Sequence, residues 1–185
     1  MGKKIVILNG SPRKNGNTAM LCDAFTEGAQ SAGHTVTRFD LGRMNIRGCL
    51  GCMQGGKKPE APCVQKDDMG QIYPAYREAD IVVLASPLYY WSFSAQLKAA
   101  FDRLFAVAEL DPNYANPKKD CALLMAAEGD TPDNWKPALD YYERLLGFLG
   151  WRDLGRALAG GVMEAGAVAG KPALDEARKL GAALA

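Results

Sequence analysis

Apolar residues along this chain fall into short runs separated by segments of helical periodicity. Residues 4–9 and 81–85 are rich in Ile, Val and Leu without polar alternation, which is typical of strands buried on both faces of a parallel sheet. Further runs at 35–40, 121–127 and 151–163 predict three more strands. The hydrophobic pattern therefore predicts five strands, each followed by a polar or glycine-containing stretch.

Apolar stripes with a spacing of three to four residues lie between these strands and predict helices. The stripes run from about Asn17 to Gly33, from Met69 to Tyr76, from Leu97 to Phe105, from Trp135 to Leu149 and from Pro172 onwards. Pro74 lies inside the second stripe. We expect it to kink or divide that helix, because proline lacks the N–H that an internal helical turn needs.

Strand–helix units that follow one another predict an α/β fold, with a five-stranded parallel sheet and helices on both faces. Sheets of this kind bind ligands beyond the carboxyl ends of their strands. The loops after the first, third and fourth strands are therefore the expected binding loops. With 185 residues and no linker or internal repeat, residues 1–185 are expected to form one domain.

Composition and charge argue against several classes of function. The chain has 22 Lys and Arg against 21 Asp and Glu, and a net charge of +1 disfavours binding to nucleic acid or an anionic membrane. No apolar stretch approaches the roughly 20 residues that span a bilayer, and no signal peptide is recognisable, so we expect a cytoplasmic protein. The single histidine, His34, argues against mechanisms built on an imidazole, and we expect it to face solvent away from the binding edge.

The loop after the first strand, residues 10–18, has the features of a phosphate site. It leads into a helix N-terminus, where free N–H groups and the helix dipole favour an anion. Ser11, Asn17 and Thr18 add short donors, and Arg13 adds a positive charge suited to phosphate oxygens. The loop matches neither the P-loop nor the dinucleotide glycine pattern. An ordinary polar turn with a helix cap is the alternative interpretation.

The loop after the third strand is rich in aromatic residues. Four of the nine residues from 86 to 94 are Tyr, Trp or Phe, on the expected ligand edge. Such rings would stack on a flat heteroaromatic ligand while neighbouring amides and hydroxyls reach its polar edges. The alternative is packing in the core or between subunits, which we expect for Phe93 in particular.

Taken together, these residues resemble the flavodoxin-like NAD(P)H-dependent FMN reductases, close to the branch that includes the iron–sulfur flavoproteins. The resemblance covers most of the chain. Four groups of residues show the resemblance. Two are the stretch from Asn9 to Thr18 and the stretch from Ser86 to Tyr90. The other two are Cys49-Leu-Gly-Cys52 followed by Cys63 and Asp67-Asp68-Met69, and Ser94 to Lys98 followed by Asp102-Arg103. The resemblance implies a doubly wound sheet with strand order 2-1-3-4-5.

The resemblance also implies a cofactor, FMN, and its ligands. The phosphate would be held by Ser11, Arg13, Asn15, Asn17 and Thr18, and the ring would contact Pro87, Leu88, Tyr89, Tyr90, Trp91, Glu128 and Gly129. NAD(P)H would reduce the bound FMN, which would then reduce a quinone, a flavin, a nitro or azo compound or a protein acceptor. A homodimer or homotetramer is implied as well. The alternative is an electron carrier of the flavodoxin or iron–sulfur flavoprotein type without a small-molecule substrate.

The cysteines depart from the iron–sulfur pattern of that branch. Its members carry Cys-x-x-Cys-x-x-Cys and a later fourth Cys, which match Cys49, Cys52 and Cys63 here, but Gly55 stands at the third position. A four-iron cluster normally needs four thiolates, and Cys22 and Cys121 fall in a predicted helix and strand. We therefore expect no metal and interpret the thiols as structural or incidental. A cluster on Cys49, Cys52 and Cys63 is the alternative.

Overall fold

The computed structural model describes residues 2–184 and contains a five-stranded sheet in which neighbouring strands are parallel. The strands are β1 (Lys4–Asn9), β2 (Thr35–Asp40), β3 (Ile81–Pro87), β4 (Asp120–Ala126) and β5 (Arg152–Ala159). Their order, β2-β1-β3-β4-β5, confirms the expected flavodoxin-like arrangement. Asn9 at the end of β1 is in register with Asp40 of β2 and Ala85 of β3, so the loops after these strands start at one edge.

Two helical layers cover the sheet because successive side chains of a strand point to opposite faces. The helices are α1 (Asn17–Ser31), α2 (Met69–Glu78), α3 (Ala95–Arg103), α4 (Phe105–Ala108), α5 (Pro132–Leu149) and α6 (Pro172–Ala182). Ile5 and Ile7 pack with α1 and α6 in one core layer. Val6 and Leu8 pack with α2, α3 and α5 in the other. Within residues 2–184, none of the helices has the length and apolar character needed to cross a bilayer.

Of the two effects expected of Pro74, a kink or a division of the helix, the division is wrong, because α2 continues from Met69 to Glu78 with Pro74 inside it. The apolar stripe of α2 is buried on both sides of the proline, at Met69 and Ile72 and at Tyr76. The end of α2 is capped by Lys119, whose Nζ donates to the carbonyl of Ala79. Packing and this cap compensate for the N–H that proline lacks.

The predicted helix from Leu97 to Phe105 is interrupted in the structure. α3 ends at Arg103, and the N–H of Leu104 bonds the carbonyl of Phe101 at 3.0 Å, which tightens the last turn. The tighter turn moves Phe105 off the buried face, where the periodicity had placed it. Phe105 is 40% exposed and stacks on Tyr114, with ring centroids 6.0 Å apart.

His34 is half-buried rather than turned to solvent. It precedes β2 at the edge of the sheet opposite the binding loops, as expected. Its Nδ1 accepts the N–H of Lys3 at 3.0 Å, and its Nε2 lies 3.1 Å from the carbonyl oxygen of Leu184. His34 therefore connects Lys3, before β1, with Leu184, after α6.

A buried ion pair anchors the long segment between β2 and α2 onto α3. Nη1 of Arg103 lies 2.8 Å from Oδ2 of Asp67, and neither side chain is exposed. Asp67 also accepts the N–H groups of Arg47 and Met69. Burial alone would raise the pKa of Asp67, but the hydrogen bonds from Arg103, Arg47 and Met69 outweigh it and hold this pKa below its usual value.

Candidate functional site

Two adjoining clefts lie at the carboxyl edge of the sheet. The first, which we call the loop cleft, has a volume of about 240 Å³ and lies between the loops that follow β1, β3, β4 and β5. The second, the aromatic cleft, has a volume of about 230 Å³ and lies beside the loops after β3 and β4. Leu88, Ala127 and Glu128 line both clefts. One elongated ligand could therefore occupy both.

Every predicted ligand residue except Asn15 lines one of these clefts. The loop cleft contains Ser11, Arg13, Asn17, Thr18, Pro87, Leu88, Tyr89 and Glu128, and the aromatic cleft adds Tyr90, Trp91 and Gly129. Asn15 is exposed and lies outside both linings. The fold thus brings together residues from three loops that are far apart in the sequence.

The N-terminus of α1 forms one end of the loop cleft. Its N-cap residue is Gly16, which supplies no side-chain cap, and the first turn of the helix contains no acidic residue. The N–H groups of that turn therefore lack the side-chain acceptor that many helices provide for themselves. Together with the helix dipole, they favour an anion in the cleft.

The loop that precedes α1 is held in place by side chains at the ends of β1 and β2. Asn9 accepts the N–H of Ser11 at Oδ1, over 3.1 Å, and donates from Nδ2 to Oδ1 of Asp40, over 2.8 Å. Oγ of Ser11 accepts the N–H of Arg13 over 3.2 Å. These bonds fix the loop before any ligand binds, which lowers the entropy cost of binding.

The side chain of Asn17 is committed to the protein itself. Its Nδ2 donates to the carbonyls of Val162 and Glu164, and its Oδ1 accepts the N–H of Val168. The Asn17 amide, expected to be a ligand donor, instead holds the loop between β5 and α6. What Asn17 can offer a ligand is its backbone N–H in the first turn of α1.

The side chain of Arg13 also contacts the loop between β5 and α6. Its Nη1 donates to the carbonyl of Met163 over 2.7 Å. A guanidinium carries five N–H donors, so one such bond leaves donors for phosphate oxygens. The side chain of Arg13 is exposed at the mouth of the cleft.

Sequence reasoning missed the loop after β5, which contributes Val162 and Met163 to the loop cleft. This loop is bonded to the one after β4, because the N–H of Val162 donates to the carbonyl of Ala127 and that of Gly161 to the carbonyl of Glu128. The available signal was the pair Gly160-Gly161 inside the run at 151–163, because adjacent glycines weaken a strand and favour its end at this point.

The aromatic loop after β3 folds into a two-residue hairpin. Tyr89 and Ser92 exchange both backbone hydrogen bonds at 3.0 Å, and the turn residues Tyr90 and Trp91 have φ angles of 47° and 58°. Turns of this kind usually contain Asn or Gly, because side chains rarely adopt positive φ. A non-glycine residue held there costs on the order of 1–3 kcal/mol.

This strained hairpin presents its aromatic side chains to the clefts and to solvent. Tyr90 is 95% exposed, Trp91 57% and Tyr89 44%. Of the four aromatic residues in the loop, Phe93 alone is buried, packed edge-to-face on Tyr141 at 5.3 Å. Phe93 therefore packs in the core, as expected, whereas Tyr89, Tyr90 and Trp91 do not.

Ser94 connects the aromatic loop with the loop before α1. Its buried Oγ accepts the N–H of Leu97, which caps α3, and donates to the carbonyl of Gly10 over 2.8 Å. Ser94→Ala should lower the free energy of unfolding by about 1–3 kcal/mol, because it removes the cap and leaves a buried carbonyl unpaired. Urea denaturation measures this loss.

Thr131 provides the matched control for that prediction. It caps α5 by accepting the N–H of Asn134, but it is exposed. Thr131→Ala should cost about 1 kcal/mol, since water can replace the lost bond. A smaller loss for Ser94→Ala than for Thr131→Ala would contradict the bridging role of Ser94.

Comparison with known sequences identifies a protein family that the chain matches. The family model described as NADPH-dependent FMN reductase matches residues 3–131. An iron–sulfur flavoprotein of Archaeoglobus fulgidus is 38% identical over 101 residues, which are 55% of this chain and 45% of that protein. YwqN of Bacillus subtilis, provisionally named an NAD(P)H-dependent FMN-containing oxidoreductase, is 26% identical over 163 residues, 85% of each chain.

Comparison with solved structures extends the likeness to the whole fold. The NAD(P)H:quinone oxidoreductase of Methanothermobacter marburgensis superposes with a TM-score of 0.74 at 25% identity, covering 98% of this chain and 96% of that one. The curated iron–sulfur flavoproteins are longer than this chain, whose match spans 45% of the Archaeoglobus protein and 51% of a Methanosarcina thermophila relative.

Proposed function

The chain belongs to the NADPH-dependent FMN reductase family, and from this membership we propose that it is an FMN-dependent oxidoreductase. NAD(P)H would reduce FMN bound in the two clefts, and the electrons would pass to a second acceptor. When bound, FMN supplies the redox chemistry, while the protein orients its ring and shields it from water. We include in the proposal a homodimer or homotetramer, in which a second copy would cover exposed apolar residues such as Phe148.

The observation that carries this proposal is the continuity of an anion site with an aromatic site. FMN has a phosphate at one end and a flat ring at the other. The uncapped N-terminus of α1 and the charge of Arg13 suit the phosphate. Leu88 and Glu128 line both clefts, so the ligand would run past them into the aromatic cleft.

The aromatic cleft suits the ring. Tyr90 and Trp91 line one part of it, and Gly129 and Asn134 line the other. The Asn134 side chain donates to the carbonyl of Gly129 over 3.1 Å, which fixes that wall. Ring stacking on an aromatic side chain adds to the affinity beyond simple burial. Hydride transfer to a flavin needs no protein imidazole, which is consistent with the position of the only histidine at the opposite edge of the sheet.

The acceptor is proposed to be a small organic molecule, such as a quinone, a flavin or a nitro or azo compound, or a protein centre. The aromatic cleft is the opening through which it would reach the ring. Trp91 is 57% exposed at this opening. A flavodoxin-type carrier, which has no reducing cosubstrate of its own, is the competing function.

Anaerobic mixing of the FMN-loaded protein with NADH and with NADPH tests the proposal. We expect at least one of them to abolish the visible absorption of the bound flavin, and an added quinone to restore it. Riboflavin serves as the matched ligand, because it keeps the ring and lacks the phosphate, and it should bind more weakly. Bound FMN that neither nucleotide reduces would favour the carrier function, and failure to bind FMN would contradict both.

A further inference from the structure

The segment between β2 and α2 carries Cys49, Cys52 and Cys63. In the relatives named iron–sulfur flavoproteins, the name itself implies a cluster. Whether the corresponding residues of this chain could hold one depends on what surrounds Gly55, where the iron–sulfur pattern calls for a third cysteine.

The side chain of Glu109, the residue that follows α4, lies against Gly55. A Cβ atom built on Gly55 would overlap Oε2 of Glu109 and lie 3.0 Å from the carbonyl oxygen of Pro62. The next residue, Gly56, has a φ of 71°, and a Cβ there would overlap the backbone carbonyl of Glu109. The N–H of Gly56 also donates to the carbonyl of Pro62 over 2.9 Å. A side chain at position 55 would therefore meet the carboxylate of Glu109.

Cys63 is half-buried. It packs against the core layer that contains α2 and α3. Burial lowers the pKa of Arg103, but Asp67, Tyr73 and Cys63 together raise it by more. Among residues 2–184, one buried side-chain nitrogen or oxygen atom, Nε of Arg103, has no hydrogen-bond partner. By contrast, Cys49 and Cys52 are exposed.

The two remaining cysteines do not supply a replacement ligand. Cys22 lies inside α1 and Cys121 inside β4, both with no exposed surface. Burial raises the pKa of each thiol to about 12, so neither forms a thiolate readily. Across the described part of the chain, no three His, Cys, Asp or Glu side chains are grouped as metal ligands.

Hydrogen bonds within the protein hold both ends of the segment that carries the three cysteines. Asp68 accepts the N–H of Asn45 at Oδ2 over 2.7 Å. Arg103 donates to the carbonyl of Arg47 over 2.8 Å and to Asp67 over the same distance. The two ends of the segment are thereby joined to each other and to α3.

We infer that this chain holds no iron–sulfur cluster and that FMN is its only redox centre. The inference rests on the proposed function, because it concerns the route of the electrons that NAD(P)H would supply. A hydride brings two electrons to the flavin, and without a second centre both electrons leave from the flavin itself. The acceptor is therefore one that takes its electrons directly from the flavin, through the aromatic cleft.

Iron analysis after anaerobic reconstitution tests this inference. Purified FMN-loaded protein is incubated with ferrous iron, sulfide and dithiothreitol, desalted, and assayed for iron and acid-labile sulfide. The double variant Cys49→Ser/Cys52→Ser, treated identically, measures metal bound elsewhere. We expect equal amounts in the two proteins, and a dithionite titration that ends at about two electrons per FMN.

A wild-type excess of iron with matching sulfide over the double variant would overturn the inference, with about four of each expected for a four-iron cluster. A titration that needs further electrons would overturn it as well. The metal assay is independent of the nucleotide experiment. A protein that binds a cluster while NAD(P)H still reduces its FMN would refute this inference and leave the proposed function intact.

Discussion

Replacing Asp67 by asparagine is expected to lower the free energy of unfolding by about 3–5 kcal/mol, among the largest effects of any single change in this chain. The Arg103 guanidinium would remain buried without a counter-charge, since both side chains of this pair are fully inaccessible. Chemical denaturation of the purified variant gives the measurement. The surface pair Lys136–Asp140 provides the control, because its side chains are 67% and 59% exposed.

Asp140→Asn should change the free energy of unfolding by less than about 1 kcal/mol, because water screens that pair. Arg103→Met provides the second comparison. In that background the Asp67→Asn change should cost much less than in the wild type, because no buried cation is left uncompensated. Equal losses in the two backgrounds would show that the pair is not coupled.

Acid titration of stability separates the charge of Asp67 from its packing. Because the folded-state pKa of Asp67 lies below its unfolded value, the carboxylate stabilises the fold fully above the unfolded pKa of about 3.9. This contribution is lost as the pH falls through the folded pKa. The difference in stability between wild type and Asp67→Asn should therefore shrink below about pH 4. A constant difference would contradict the ionic origin of the effect.

Replacing Arg13 by alanine is expected to raise the dissociation constant for FMN by roughly 10- to 100-fold, the usual loss for a charge-assisted hydrogen bond. Arg13 lies at the mouth of the loop cleft, and its side chain donates to the carbonyl of Met163. The fold should be little affected, because the side chain is exposed. Quenching of flavin fluorescence during titration of the protein measures the constant.

Lys14→Ala is the matched control for Arg13→Ala. Lys14 is the neighbouring cation, it is exposed, and it lies outside the lining of the loop cleft. We expect its replacement to leave FMN binding nearly unchanged, since its side chain lies outside the cleft and water screens its charge from a ligand there. Riboflavin affinity should also be the same in wild type and Arg13→Ala, because the arginine is assigned to the phosphate. An equal loss for riboflavin and FMN would refute that assignment.

The sheet and most helices follow from local patterns. The runs at 4–9 and 81–85 have no polar face, so only a strand covered on both sides accommodates them. The order of strands and helices then restricts the binding edge to the carboxyl ends. For this reason the sequence alone could place Ser11 and Trp91 at the binding edge, where they line the loop cleft and the aromatic cleft. The helix continues through Pro74 and is interrupted before Phe105, because packing and a tightened turn overrode local propensity at these two positions.

By itself, the sequence determined the α/β fold, the binding edge and the residue types that serve an anion and a flat ring, because these depend on periodicity and loop position. The tertiary structure alone decided that the Asn17 amide serves the loop after β5, that Met163 joins the cleft and that Glu109 fills the space at Gly55. These partners are remote in sequence. Their contacts depend on how the loops pack against one another, which no local pattern encodes.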